Sequence, residues 1–178
     1  MIKDTSGILN LEYYLGSNLG SLENPILLSF ALYLDGYDLV QNNPNHKLNN
    51  KMSFVGIDIA GHITINKNID IEYKAGYSYL FSGVYWIRSY ANKSYLNGGH
   101  RFEVSIGMLY RQNRDNLIQT EVNKKLDFYT RFKVIYYDIN ASDVILINSK
   151  PINYPMSKNL MFMLEFGIAS HFNYRIFH

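Results

Sequence analysis

The sequence predicts an all-β chain: an antiparallel up-and-down β-barrel that crosses a membrane on its strands. Eight strands are expected, with ten as the next count, because bacterial single-chain barrels have even numbers. Three observations carry this prediction. First, apolar and polar side chains alternate over long segments. From Ile69 to Phe81, one side of an extended chain holds Ile69, Ile71, Tyr73, Ala75, Tyr77, Tyr79 and Phe81. The other holds Asp70, Glu72, Lys74, Gly76 and Ser78, as the two-residue period of a strand requires. Second, aromatic residues make up 15% of the chain, with 16 Tyr and 10 Phe but one Trp. That bias suits strands and the interfacial girdles of a membrane barrel. Third, no stretch keeps a helical apolar period for three turns, and none approaches the ~20 apolar residues of a transmembrane helix.

Bulk properties narrow the function. The 178 residues suit one domain, 1–178. A formal net charge of +2 with no basic stripe argues against a nucleic-acid partner. The absence of cysteine excludes disulfides, thiol catalysis and thiolate metal sites. The opening MIKDTSGILN has no apolar leader, so a bacterial outer-membrane location implies that a signal peptide has been removed.

The expected strands lie near 7–15, 26–38, 52–65, 68–81, 83–95, 100–111, 125–139 and 159–177. The second contains the longest apolar stretch, Ile26 to Leu34, which is of strand length. In the third, Val55, Ile57, Ile59, Ile63 and Ile65 oppose Asp58, His62 and Thr64. Asn66-Lys67-Asn68 then makes a tight hairpin to the fourth. The fifth is the weakest, because Arg88 falls on the face of Val84 and Trp86. An external loop is the alternative there, with Asp143 to Asn148 supplying the missing strand. Asn97-Gly98-Gly99 marks the next turn. In the sixth, Phe102, Val104, Ile106, Met108 and Tyr110 oppose Arg101, Glu103, Ser105, Gly107 and Arg111. In the seventh, Phe128, Phe132, Val134 and Tyr136 oppose Asp127, Arg131 and Lys133. The last sets Phe162, Leu164, Phe166, Ile168, Phe172, Tyr174 and Ile176 against Glu165, Gly167, His171, Asn173 and Arg175. Polar links fall at 39–51, 112–124 and 140–158, where Pro151 and Pro155 discourage a central strand.

The closing segment, LEFGIASHFNYRIFH, resembles the C-terminal strand of outer-membrane β-barrels, which usually ends in an aromatic residue; here Phe177 is penultimate. The whole chain resembles small barrels of the OmpA-transmembrane-domain and OmpX kind. The resemblance rests on pattern rather than on a motif. It implies eight antiparallel strands, short turns at one end and longer loops at the other, and no catalytic residues.

The polar row defines the candidate site. Asp58, His62, Asp70, Glu72, Lys74, Arg101, Glu103, Arg131, Lys133, Glu165, His171 and Arg175 carry nearly balanced charges. Such residues in a narrow lumen are expected to pair as a salt-bridged plug, since unpaired buried charge is costly. A small channel along the same row is the rival reading. Tyr77, Tyr79, Phe81, Tyr110, Tyr136 and Tyr174 are the expected interface aromatics.

Enzymatic signals are weak. Lipid A-modifying barrels use a Ser, a His and an acid on the lipid-facing wall. Here Ser170 and His171, with Glu165 or Glu103, offer the residue types, but adjacent strand residues point to opposite faces. His46, His62 and His100 have no ligand spacing. Gly36, Gly56, Gly61, Gly76 and Gly107 stand singly in strands rather than in a phosphate loop. The sequence thus implies no metal and no cofactor. Asn92-Lys93-Ser94 and Asn140-Ala141-Ser142 match a glycosylation acceptor by chance.

The expectation is a non-enzymatic outer-membrane barrel, partnered by the lipid bilayer or lipopolysaccharide. Its role is structural, or adhesion-like toward a host or cell-surface partner through loops near 39–51 or 140–158. A soluble β-sandwich or barrel that binds a ligand is the rival from another class.

Overall fold

The computed structural model describes residues 5–21, 24–40, 47–87, 93–96, 98–111 and 125–171. They form an up-and-down antiparallel sheet of seven long strands: β1 (Thr5–Asn18), β2 (Ile26–Val40), β3 (Lys47–Thr64), β4 (Ile69–Ile87), β6 (Gly99–Arg111), β7 (Lys125–Ile139) and β10 (Ser157–His171). A short β5 (Lys93–Tyr95) folds back on β4, pairing Val84 with Tyr95. β8 (Ile145–Ile147) and β9 (Lys150–Ile152) make a separate small hairpin. Its two central residues, Asn148 and Ser149, have positive φ of 50° and 62°, as a two-residue hairpin turn matched to strand twist requires.

Every long strand pairs with the next one in the chain. β1, β3 and β6 finish at one end, with the tight turn at 65–68; it is here called the lower end. Asn66 closes that turn, its side-chain oxygen accepting from the amides of Asn68 and Ile69 at 2.9 Å each. β2, β4 and β7 finish at the upper end, where the 140–156 link lies.

Alternation sorts side chains to two faces. On β6, Arg101, Glu103, Ser105 and Leu109 are buried while Phe102, Val104, Ile106, Met108 and Tyr110 are exposed. On β10, Leu160, Phe162, Leu164, Phe166 and Ile168 are all exposed, Phe166 to 73%. The buried face is concave. Tyr137 of β7 donates its hydroxyl to Asp35 of β2, and Lys133 of β7 reaches Glu12 of β1. Strands remote in the sheet can meet only if it curls.

Two expectations change here. The segment 83–95 is not an independent strand. Ser53 pairs with Ser82 but Phe54 pairs with Leu80, leaving Phe81 as one extra residue on β4. A bulge of this kind shifts the alternation by one. Ser78 and Leu80 point inward before it, and Gly83 and Tyr85 after it. β4 therefore runs on to Ile87, and within 143–148 the strand is Ile145–Ile147, part of the small β8–β9 hairpin, while the Asp143 amide donates to the Tyr95 carbonyl at 3.0 Å. The sheet is also open: among the described residues β1 and β10 are its edges and are not hydrogen-bonded to each other. Among the described residues seven long strands stand where a closed set of eight was expected, and closure is not seen. Of the proposed loops, 39–51 loses 39–40 to β2 and 47–51 to β3, with 41–46 outside the described residues, and 140–158 shrinks to 140–156 because β10 begins at Ser157.

Candidate functional site

The concave face has two storeys. The upper one is apolar: Ala31, Tyr33, Met52, Phe54, Leu80, Leu96, Ile135, Tyr137 and Ile139 form a single buried cluster. These residues come from β2, β3, β4, β7 and the β5 segment's end, so the cluster ties the curl together. The lower storey is charged.

Lys74, Arg101 and Lys133 are the three cations at its centre. Lys74 Nζ lies 2.8 Å from Glu103 and 3.3 Å from both Glu12 and Asp58. Lys133 Nζ lies 2.8 Å from Glu12 and 2.9 Å from Glu165, and so bridges β1 to β10 across the opening. Arg101 is 1% exposed. It pairs with Glu103 at 2.6 Å and Asp35 at 3.2 Å, with its guanidinium 3.9 Å above the ring of Tyr33. Tyr33 in turn donates its hydroxyl to Asp58. Arg101 thus joins the storeys, its charge facing carboxylates and its flat face an aromatic ring. Nearer the lower end, Arg131 holds Glu72 at 3.1 Å and Glu165 at 3.4 Å, and Arg111 holds Asp70 at 2.6 Å with His62 3.9 Å from the same carboxylate.

Ten of the twelve residues of the polar row therefore sit on one face and share partners. The side chain of His171, together with Arg175, lies outside the described residues. So do the Ser170 side chain and Tyr174. Of the aromatics, Tyr77, Tyr79, Phe81 and Tyr110 are exposed on the convex face and Tyr136 is half-buried there. Near the upper end they join others: Tyr77 lies 5.1 Å from the Phe102 ring and 2.9 Å, through its hydroxyl, from Nδ1 of His100.

The polar row left out four residues of the same inner face: Arg111 and Asp127, which alternation had already put on the polar sides of their strands, and Glu12 and Asp35, which sequence reasoning missed. Glu12 was findable, because Asn10, Glu12 and Tyr14 alternate with Leu9, Leu11, Tyr13 and Leu15. Asp35 was masked by Tyr33 and Tyr37 beside it, which look apolar but face inward. Glu12 is the only acid that β1 supplies to this network among the described residues. Glu12→Gln is expected to lower stability by about 2 kcal/mol, within the range for weakening a buried charge cluster. Backbone amides of β1 should then exchange with solvent faster than those of β3; equal rates in both strands would contradict this role.

The upper end holds a cavity of about 440 Å³. One wall is set by Ser142. Its hydroxyl accepts from Ser94 at 2.7 Å and from the Tyr154 amide at 2.7 Å, while the Ser142 amide donates to the Tyr154 carbonyl at 3.0 Å. This fixes the 140–156 link over the sheet and holds the Tyr154 ring 5.2 Å from that of Tyr85.

Among the described residues, no cluster of three or more His, Asp or Glu is placed to hold a metal ion. No family model, curated protein or solved structure matches the chain.

Proposed function

We propose that this chain is a non-enzymatic integral outer-membrane β-barrel protein, with a structural or surface-interaction role carried by the links at its upper end. The single observation behind the reading is its inverted polarity. Charges fill the concave face, whereas Leu, Ile and Phe cover the convex one and stay open to the surroundings. Soluble monomers rarely expose contiguous apolar patches beyond a few hundred Å²; a wall of this kind suits hydrocarbon. β6 illustrates the fit. Its outer row runs Phe102, Val104, Ile106, Met108, Tyr110, aromatic at both ends and aliphatic between. At a rise of ~3.4 Å per residue that row spans about 27 Å along the strand, of the order of the apolar band of a membrane barrel. The buried, ion-paired interior favours a filled lumen over a pore. In this reading no conductance is expected in planar bilayers.

The test is to refold the full chain with and without detergent and compare unheated with boiled samples by gel mobility. A heat-modifiable band only in detergent supports the reading; monodisperse folded protein in plain buffer sinks it. Ile106→Lys sharpens the result. At the middle of a lipid-facing band it should cost about 2–4 kcal/mol. On a water-facing surface the same change should stay within about 0.5 kcal/mol.

A further inference from the structure

We infer that the upper cavity is a binding site for a small, uncharged, aromatic molecule that carries an N–H or O–H donor. The inference does not require the membrane reading, since the cavity is formed by the concave face and the 140–156 link.

Four features define the occupant. The volume, about 440 Å³, falls in the range of small-molecule sites. Such sites recur at the mouths of β-barrels. The walls are aromatic: Tyr37, Tyr85, Tyr137 and Tyr154 line it, and the Tyr37–Tyr137 and Tyr85–Tyr154 pairs meet edge-on, at 88° and 62°. Ring faces and edges of this kind suit a flat aromatic guest. Among the described residues, no Lys, Arg, Asp or Glu lines the cavity. Asp35, which accepts from the lining residue Tyr137, is already committed to Asn10 and Arg101 as well, so an ionic guest would find no counter-ion among these residues.

The polarity of the guest comes from Asn50. This residue lines the cavity, and its Oδ1 is buried without a hydrogen-bond partner. A buried acceptor left empty costs free energy. The terminal torsion of Asn is soft, so the amide can turn that oxygen to a donor arriving in the cavity. Met52 and Met161 complete the floor, and their flexible thioethers adapt to the guest's outline. The Ser142 knot keeps Tyr154 in place, so the site is largely formed before anything enters.

The probe is N-phenylnaphthylamine, which is neutral, aromatic and has one N–H. Its N-methyl derivative is the matched control without a donor. Each is titrated by fluorescence against the folded full chain, with the empty medium subtracted. Saturable one-to-one binding of the N–H probe is expected, about fivefold tighter than that of the N-methyl compound, the worth of roughly one hydrogen bond. Asn50→Leu should erase that preference, so that the two compounds bind alike. Met161→Trp, which puts a bulky ring into the cavity, should weaken both; circular dichroism and gel mobility report whether each variant has folded. Non-saturable uptake overturns the site. So does binding undiminished in a folded Met161→Trp protein. Equal affinities for the two probes in the parent overturn the donor requirement, and tighter binding of decanol than of the aromatic amine overturns the aromatic class.

Discussion

Arg101→Met should destabilise the folded chain by about 3–5 kcal/mol, the range for breaking a buried ion pair by removing one partner. Arg101 is 1% exposed and Glu103 beside it is likewise 1% exposed. Their 2.6 Å contact is paired with the 3.2 Å contact to Asp35. Methionine fills much of the volume but takes a cation from two interior carboxylates, which strands Asp35 and leaves Glu103 short of positive charge beside Lys74 and Lys133. It also removes the guanidinium from the face of Tyr33, and a desolvated contact of that kind adds about 2 kcal/mol. The measurement is the denaturant midpoint of parent and variant in the same medium. Arg101→Met combined with Glu103→Gln should recover part of the loss, because one of the stranded charges is gone. A midpoint unchanged by Arg101→Met, or a double variant that is worse than the sum of its parts, would show that the interior does not depend on this pair.

Gly56→Val is the second large effect. Gly56 pairs with Ser78 across β3 and β4. A Cβ at Gly56 would lie 2.0 Å from the backbone oxygen of Tyr77 and 2.5 Å from Cα of Ser78. Backbone atoms cannot step aside as a side chain does, so the two strands would have to part where Asp58 and Lys74 deliver their charges. The expected loss is about 3 kcal/mol, the upper end of ordinary overpacking costs, seen as a lowered midpoint or failure to fold. Gly36→Ala is the control. The nearest atom to its new methyl group is 3.6 Å away, which is ordinary contact, so its midpoint should stay close to the parent's. Equal damage from both changes would mean that strand spacing is not the cause.

The sequence made the alternation readable because each wall is chemically uniform for several residues. β6 and β10 kept one phase from start to finish, so their faces could be assigned without coordinates. β4 did not. The extra residue at Phe81 shifts the pattern by one, and Arg88 and Trp86 beyond it then looked like a poor separate strand. A bulge leaves no signature in composition; it is a property of how two strands pair. The interior aromatics were hidden for another reason. Tyr33 and Tyr137 face inward, where their hydroxyls meet Asp58 and Asp35, yet tyrosine on an alternating strand suits an outer girdle equally well. The cavity was illegible, because its walls converge from residues as distant as Tyr37 and Met161 and its rim depends on Ser142 reaching Ser94.

The direction of the two boundary strands has one more consequence. β1 starts at the upper end and finishes at the lower, and β10 does the same. Seven traverses leave the margins pointing alike, so they cannot zip together as antiparallel neighbours. A single additional traverse, travelling upward, satisfies both margins at once; any even number leaves the mismatch. Its inward side chains would meet Glu12 and Glu165. Described acids on that face (Glu12, Asp35, Asp58, Asp70, Glu72, Glu103, Asp127, Glu165) outnumber the Lys and Arg there (Lys74, Arg101, Arg111, Arg131, Lys133). A segment bringing lysine or arginine inward would therefore complete the electrostatics as well as the ladder, by covering the amides and carbonyls along both margins that no described strand pairs.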